Sequence, residues 1–111
     1  MIRAAASLIA FLLTAPVGSE TVEVRHRGAV DLVTFECRDI NRSSLIQRVC
    51  YDQAQRYLIV GIRGNYEDFC ELPPQAYTGF MTAPSMGRFF KENIRARGDR
   101  YGCGSHRHVD D

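Results

Sequence analysis

A chain of 111 residues has room for one compact domain, and losing a leader would leave it near the size at which a single core is barely sufficient. Lys and Arg number 14 against 13 Asp and Glu, and because Arg3 precedes the first acid, Glu20, a chain starting at Glu20 carries 13 of each. That balance excludes a strong nonspecific attraction to nucleic acid or anionic membrane, while leaving room for a local patch.

The chain begins with Met1-Ile2-Arg3, continues through an apolar run over residues 4–15, and reaches the small residues of Val17-Gly18-Ser19. This is the pattern of a secretory signal peptide over residues 1–19 cleaved after Ser19, since the run is too short to span a bilayer comfortably. Export places the protein in the periplasm or outside the cell. The four cysteines, Cys37, Cys50, Cys70 and Cys103, then read as two structural disulfides that staple a small core.

Residues 20–40 read as an N-terminal arm: 20–31 show no stable period, and 30–37 form a short, weak strand. Residues 45–51 read as a strand bounded by a turn over 52–55, and 56–63 is the most β-like segment. Gly64-Asn65 signals a tight hairpin, after which 66–72 returns antiparallel. Pro73-Pro74 ends the sheet and opens a helix over 75–82, weakened by Gly79. Ser85 then caps a second helix carrying Met86, Phe89, Phe90 and Ile94 at helical spacing, with Gly98 as its stop. Residues 98–111 read as an irregular tail. The expected fold is α+β, a three-stranded antiparallel meander with a weak extra N-terminal strand, packed against two short C-terminal helices.

With Gly64-Asn65 as the loop, Phe69 falls opposite Val60, and a turn over 52–55 sets Val49 opposite Leu58. Leu45, Val49, Leu58, Val60, Ile62 and Phe69 then share the face beneath the helices, with Cys50 and Cys70 on the other. Two strand spacings separate that pair by about 10 Å, beyond the roughly 7 Å a disulfide allows. Each sheet cysteine is therefore expected to pair with Cys37 or Cys103, although an error of one strand would restore Cys37–Cys103 nested around Cys50–Cys70.

Ser43-Ser44, Val49-Cys50-Tyr51-Asp52, Leu72-Pro73, Tyr77 and above all Ser85-Met86-Gly87-Arg88-Phe89-Phe90 with Ile94-Arg95 resemble the KTSC domain, over residues 41–97. That family is named for a module at the C-terminus of some lysyl-tRNA synthetases and also occurs as a stand-alone bacterial protein. The resemblance implies a small α+β module with no established activity, no catalytic residues and a proposed role in RNA binding. Its Tyr-x-Tyr falls on Glu67-Asp68-Phe69, where only the second aromatic has a counterpart and Tyr66 lies one position away.

Cys103-x-x-His106-x-His108 has soft and borderline donors suited to zinc or copper, but lacks a second Cys-x-x-Cys arm and would lose its thiolate to a disulfide. No metal or other cofactor is expected. His26 reads as solvated, Ser43, Ser44 and Ser85 as turn and cap residues, Asp52 as a turn former, and Glu67 with Asp68 as hairpin surface. No nucleophile stands with a recognisable base and oxyanion donors, so an enzyme is not expected. Arg88, Lys91 and Arg95, spaced i, i+3, i+7, share one helix face that could meet phosphate or an acidic partner. Tyr57, Tyr66 and Ile59 fall on or near the open sheet face, unless the arms cover them. The expected function is an exported, non-catalytic binding module for a protein, peptide or envelope component; the alternative is RNA binding through the basic helix edge.

Overall fold

The structure, a computed structural model, describes residues 20–104. The leader over 1–19, His106 and His108 lie outside the described residues. Strands β1 (Thr21–Val24), β2 (Gly28–Asp31), β3 (Glu36–Asp39), β4 (Ile46–Asp52), β5 (Tyr57–Ile62) and β6 (Asn65–Phe69) form one mixed sheet in the order β2-β1-β6-β5-β4-β3. The expected meander is its centre, β4-β5-β6, and the sheet extends on both sides.

Both central turns differ from the expected ones by a two-residue displacement of register. The β5–β6 loop is Arg63-Gly64, with φ of 51° and 84°, so both central residues have the positive φ that a type I′ hairpin requires. Phe69 therefore faces Leu58, and Val49 faces Val60. Because side chains alternate with period two, a slip of two leaves every residue on its expected face. Val49, Leu58, Val60, Ile62 and Phe69 do lie buried on one side. A bulge between Ile46 and Arg48 alters the start of β4, so that Ile46 is fully buried while Leu45 is only partly so.

Helix α1 (Pro74–Thr82) starts with a proline at its first turn and buries Phe80. Gly79 sits beneath Phe89: a Cβ there would lie 3.2 Å from the ring, which explains a helix-weakening residue in this position. Helix α2 (Met86–Phe89) is capped by Ser85, whose Oγ accepts from the Arg88 amide at 3.3 Å. The helical path then widens into a π turn, Phe90–Ile94, tightens into a 3-10 turn, Arg95–Arg97, and ends in α3 (Gly98–Tyr101). Gly98 therefore opens a further helical turn rather than stopping the helix, and the start of the expected irregular tail is ordered. Phe90 and Ile94 are completely buried, each stabilising the fold by about 1.5–3 kcal/mol. Phe90 lies edge-on to Phe69, at 5.5 Å between ring centres.

Residues 20–31 are not an arm. Thr-Val-Glu-Val alternates with period two, burying Val22 and Val24, and pairs with β2 to form a hairpin. Charges at the alternate positions and in the Arg25-His26-Arg27 loop conceal this short alternation. The expected strand over 30–37 is split into β2 and β3 by a turn, in which the Phe35 amide donates to the Leu32 carbonyl at 2.9 Å. The hairpin meets β6 in parallel at Val24 and Tyr66, then packs Val22, Val24 and Leu32 onto Cys50 and Ile59. The sheet is thus covered on both sides, by helices and by the hairpin.

Disulfides join Cys37 to Cys50 and Cys70 to Cys103. Each links one cysteine of the central strands or their end to one nearer a terminus, and the nested arrangement does not form. Cys37 and Cys50 are direct partners in the β3–β4 register. The second bridge ties the end of β6 to the segment after α3, beside a 2.8 Å bond from the Cys70 amide to the Tyr101 carbonyl.

Candidate anion-binding groove

Two stretches, 42–45 and 84–92, converge where β4 begins and α2 starts. The Ser43 Oγ accepts from the Leu45 and Ile46 amides at 3.2 and 3.0 Å, turning the chain into β4. Arg42 donates from its two terminal nitrogens to the Ala83 and Met81 carbonyls, both at 2.9 Å. It thereby satisfies acceptors left over at the end of α1 and fixes the connection into Pro84 and Ser85. Between these walls lies an open groove of about 490 Å³, lined among others by Arg42, Ser44, Leu45, Gly87, Arg88 and Lys91.

Several arginines outside this groove are paired with carboxylates, although Arg56, Arg63 and Arg97 have no carboxylate partner among the described residues. Arg27 pairs with buried Asp68, Arg48 with Glu20 at 2.7 Å, Arg38 with Glu36 at 2.9 Å, and Arg95 with Glu67 at 3.0 Å. Arg42, Arg88 and Lys91 have no carboxylate partner among the described residues, and Glu92 is the acid in the lining. Three cations and one acid, Glu92, therefore border one concavity and leave its lining net positive.

The expected stripe of Arg88, Lys91 and Arg95 is divided. A π turn carries about one extra residue, rotating the residues beyond it by about 100° relative to an unbroken α-helix. Arg95 consequently leaves the groove, lies 5.0 Å over the Phe90 ring and binds Glu67, at the edge of a second hollow of about 340 Å³ with Arg25 and Phe69. The sheet aromatics are not an open stacking surface. Ile59 is fully buried, while Tyr57 and Tyr66 are half-buried against the hairpin cluster. The Tyr57 hydroxyl donates to Asp68 at 2.8 Å, Phe35 meets its ring edge-on at 5.5 Å, and Arg27 stands 5.3 Å from its centre. Burial first, and then the Asp68 carboxylate, push the Tyr57 hydroxyl to a higher pKa. Tyr66 crosses Gly61 toward Arg48, whose guanidinium donates to both carboxylate oxygens of Glu20 at 2.7 and 2.8 Å, which raises its pKa further above the usual arginine range.

Other sequence expectations find definite places. Asp68, read as hairpin surface, is 7% exposed because the hairpin loop brings Arg27 over it. Asp52 does form a turn, yet is 3% exposed, accepting from the Thr34 hydroxyl and from the amide and side chain of Gln55. Phe89 is partly buried, and Ser85 and Gly87 line the groove. Cys103 is engaged in its disulfide, and no group of three or more His, Cys, Asp or Glu that could hold a metal occurs among the described residues. No helix of the described residues is long and apolar enough to cross a membrane. Arg42 carries no signal in the sequence, because its partners lie 39 and 41 residues away.

The stretch that supplies both groove walls is also the stretch matched by a family model, the KTSC domain, over residues 42–97. The chain belongs to the KTSC domain family. A crystal structure of a KTSC domain protein from Yersinia pestis is similar at 30% identity and a TM-score of 0.50, covering 53% of this chain and 83% of that one. A search of curated proteins finds no match. Within this KTSC domain the matched stretch includes β4, β5, β6, α1 and α2, whereas β1, β2, β3 and α3 lie outside it. Each disulfide joins a cysteine inside the match, Cys50 or Cys70, to one outside it.

Proposed function

We propose that this KTSC domain is an exported, non-catalytic binding module that holds an anionic segment of a protein, peptide or envelope component in the groove between residues 42–45 and 84–92. The observation that carries the reading is that three cations without a carboxylate partner among the described residues, Arg42, Arg88 and Lys91, gather around one groove. Two disulfides in a small domain are compatible with an oxidising compartment, which supports the exported part of the reading. Two of the three groove serines support binding over catalysis: Ser43 and Ser85 accept hydrogen bonds from backbone amides. Binding is tested by fluorescence anisotropy with a labelled acidic peptide at low salt, comparing the native chain with Arg88→Glu/Lys91→Glu. The expected result is an affinity reduced by at least about tenfold, equivalent to about 1.4 kcal/mol. Equal affinity of the two proteins would overturn the groove as the site. Tighter binding of labelled single-stranded RNA than of the peptide, with a steep loss in salt, would decide for the nucleic-acid alternative.

A further inference from the structure

Resting on the groove reading, we infer that Gly87 is the point at which the ligand's chain approaches this protein's backbone, and that the ligand is an acidic peptide segment. Four of the other described glycines have a reason within the fold, whereas Gly98 and Gly104, where a Cβ would meet nothing, lie outside the groove lining. Gly28 and Gly64 have φ of 100° and 84°, which side chains rarely adopt. Added Cβ atoms at Gly61 and Gly79 would stand 3.0 and 3.2 Å from the Tyr66 and Phe89 rings. Gly87 has neither restriction: its φ is outside the positive region, and a Cβ would lie 3.6 Å from the Leu45 Cβ and 3.8 Å from the Ser43 Oγ, ordinary contact distances. Glycine in a helical turn is less favourable than alanine, so the fold gains nothing from its presence. The missing side chain leaves space on the groove wall, bordered by Ser43 and Leu45 and next to Arg88.

The lining chooses among anions. It contains no aromatic ring, and Tyr57 and Tyr66, the candidates for stacking bases, lie against the hairpin. A peptide supplies carboxylates for Arg88 and Lys91, main-chain N–H groups for Glu92, and apolar carbon for Leu45 and Pro84. An extended backbone also needs the close approach that a glycine allows.

The test uses the intact disulfide-bonded protein, a fluorescein-labelled penta-glutamate peptide, and the variants Gly87→Ala and Arg88→Glu. Gly87→Ala is expected to raise Tm by about 2–6 °C while weakening peptide binding by about tenfold or more, two effects of opposite sign. Unchanged peptide affinity in Gly87→Ala, with affinity lost in Arg88→Glu, overturns the role of Gly87 and leaves the groove reading standing. A lowered Tm in Gly87→Ala overturns it too, by showing that the glycine serves packing. No binding of penta-glutamate by the native chain, or equal binding by Arg88→Glu, removes the groove reading itself. Binding of labelled oligouridylate in preference to penta-glutamate refutes the choice of peptide.

Discussion

Removing the two disulfides one at a time asks how the segments outside the family match are held. Cys37 and Cys50 are 13 residues apart, and Cys70 and Cys103 are 33 apart. Chain-entropy arithmetic gives stabilisations of about 2.9 and about 3.7 kcal/mol respectively. Alanine is the better replacement, because Cys50 and Cys103 are each 1% exposed and a buried serine hydroxyl would need a new partner. The consequences should also differ in place. Without its bridge, β3 retains four residue pairs with β4, whereas the chain after α3 retains only a short set of contacts that includes the Cys70 amide to Tyr101 carbonyl bond. Cys70→Ala/Cys103→Ala should therefore lose amide protection at Gly102 before the central strands lose theirs, while Cys37→Ala/Cys50→Ala unfolds more nearly as a unit. Urea denaturation with and without dithiothreitol measures the global term, and hydrogen exchange measures the local one. Both bridges together contribute about 6–7 kcal/mol, comparable with the whole stability of a small domain. A urea midpoint unmoved by reductant would refute this reasoning, as would a non-reducing peptide map showing Cys37 joined to Cys103.

Three other contacts set measurable outcomes. Burial opposes the charge of Asp52, but hydrogen bonds from Thr34 and Gln55 prevail and lower its pKa below 3.8. Its stabilising contribution is therefore complete above the unfolded value of 3.8 and fades as pH falls through the lowered folded value; Asp52→Ala should cost about 2 kcal/mol in urea titrations at pH 7, and less at pH 3. Gly61→Val should cost about 1–3 kcal/mol, since even a Cβ there lies 3.0 Å from the Tyr66 ring and 3.4 Å from the Arg48 Cβ; an unchanged thermal midpoint would count against that packing. Tyr57→Phe removes the 2.8 Å hydrogen bond to Asp68 and should cost about 1.5 kcal/mol by the same assay.

The centre of this fold is legible because its signals are local. Alternation in β4 and β5 assigns Val49, Leu58 and Val60 to one face, and the displacement at both turns is an even slip that cannot reverse it. The Ser85 cap is legible for the same reason, its hydrogen bond spanning three residues. Features set by distant partners are not. Hairpin docking depends on Arg27 reaching Asp68 across 41 residues, which makes a charged segment structural. The π turn that removes Arg95 from the stripe has no distinguishing pattern in Phe-Lys-Glu-Asn-Ile, so helical spacing alone brings Arg88, Lys91 and Arg95 together on paper. The groove itself depends on the Arg42 bonds to Ala83 and Met81, which no periodicity announces.

The division between the matched stretch and its additions bears on how function can be compared across the family. Residues 42–97 alone would leave Cys50 and Ile59 without the cover of Val22, Val24 and Leu32, all of which come from outside the match. In this chain that sheet face is closed by the hairpin, which the Arg27–Asp68 and Arg48–Glu20 pairs fasten. A relative without the hairpin could therefore use its sheet face in ways that this chain cannot. The groove is different: both walls, from Arg42 to Glu92, fall inside the match, and its shape depends on contacts between residues that are also inside. Charge reversal at Arg88 and Lys91 therefore probes a feature built wholly from the matched stretch, whereas mutating Tyr57 disturbs a packed pair of layers that the additions complete.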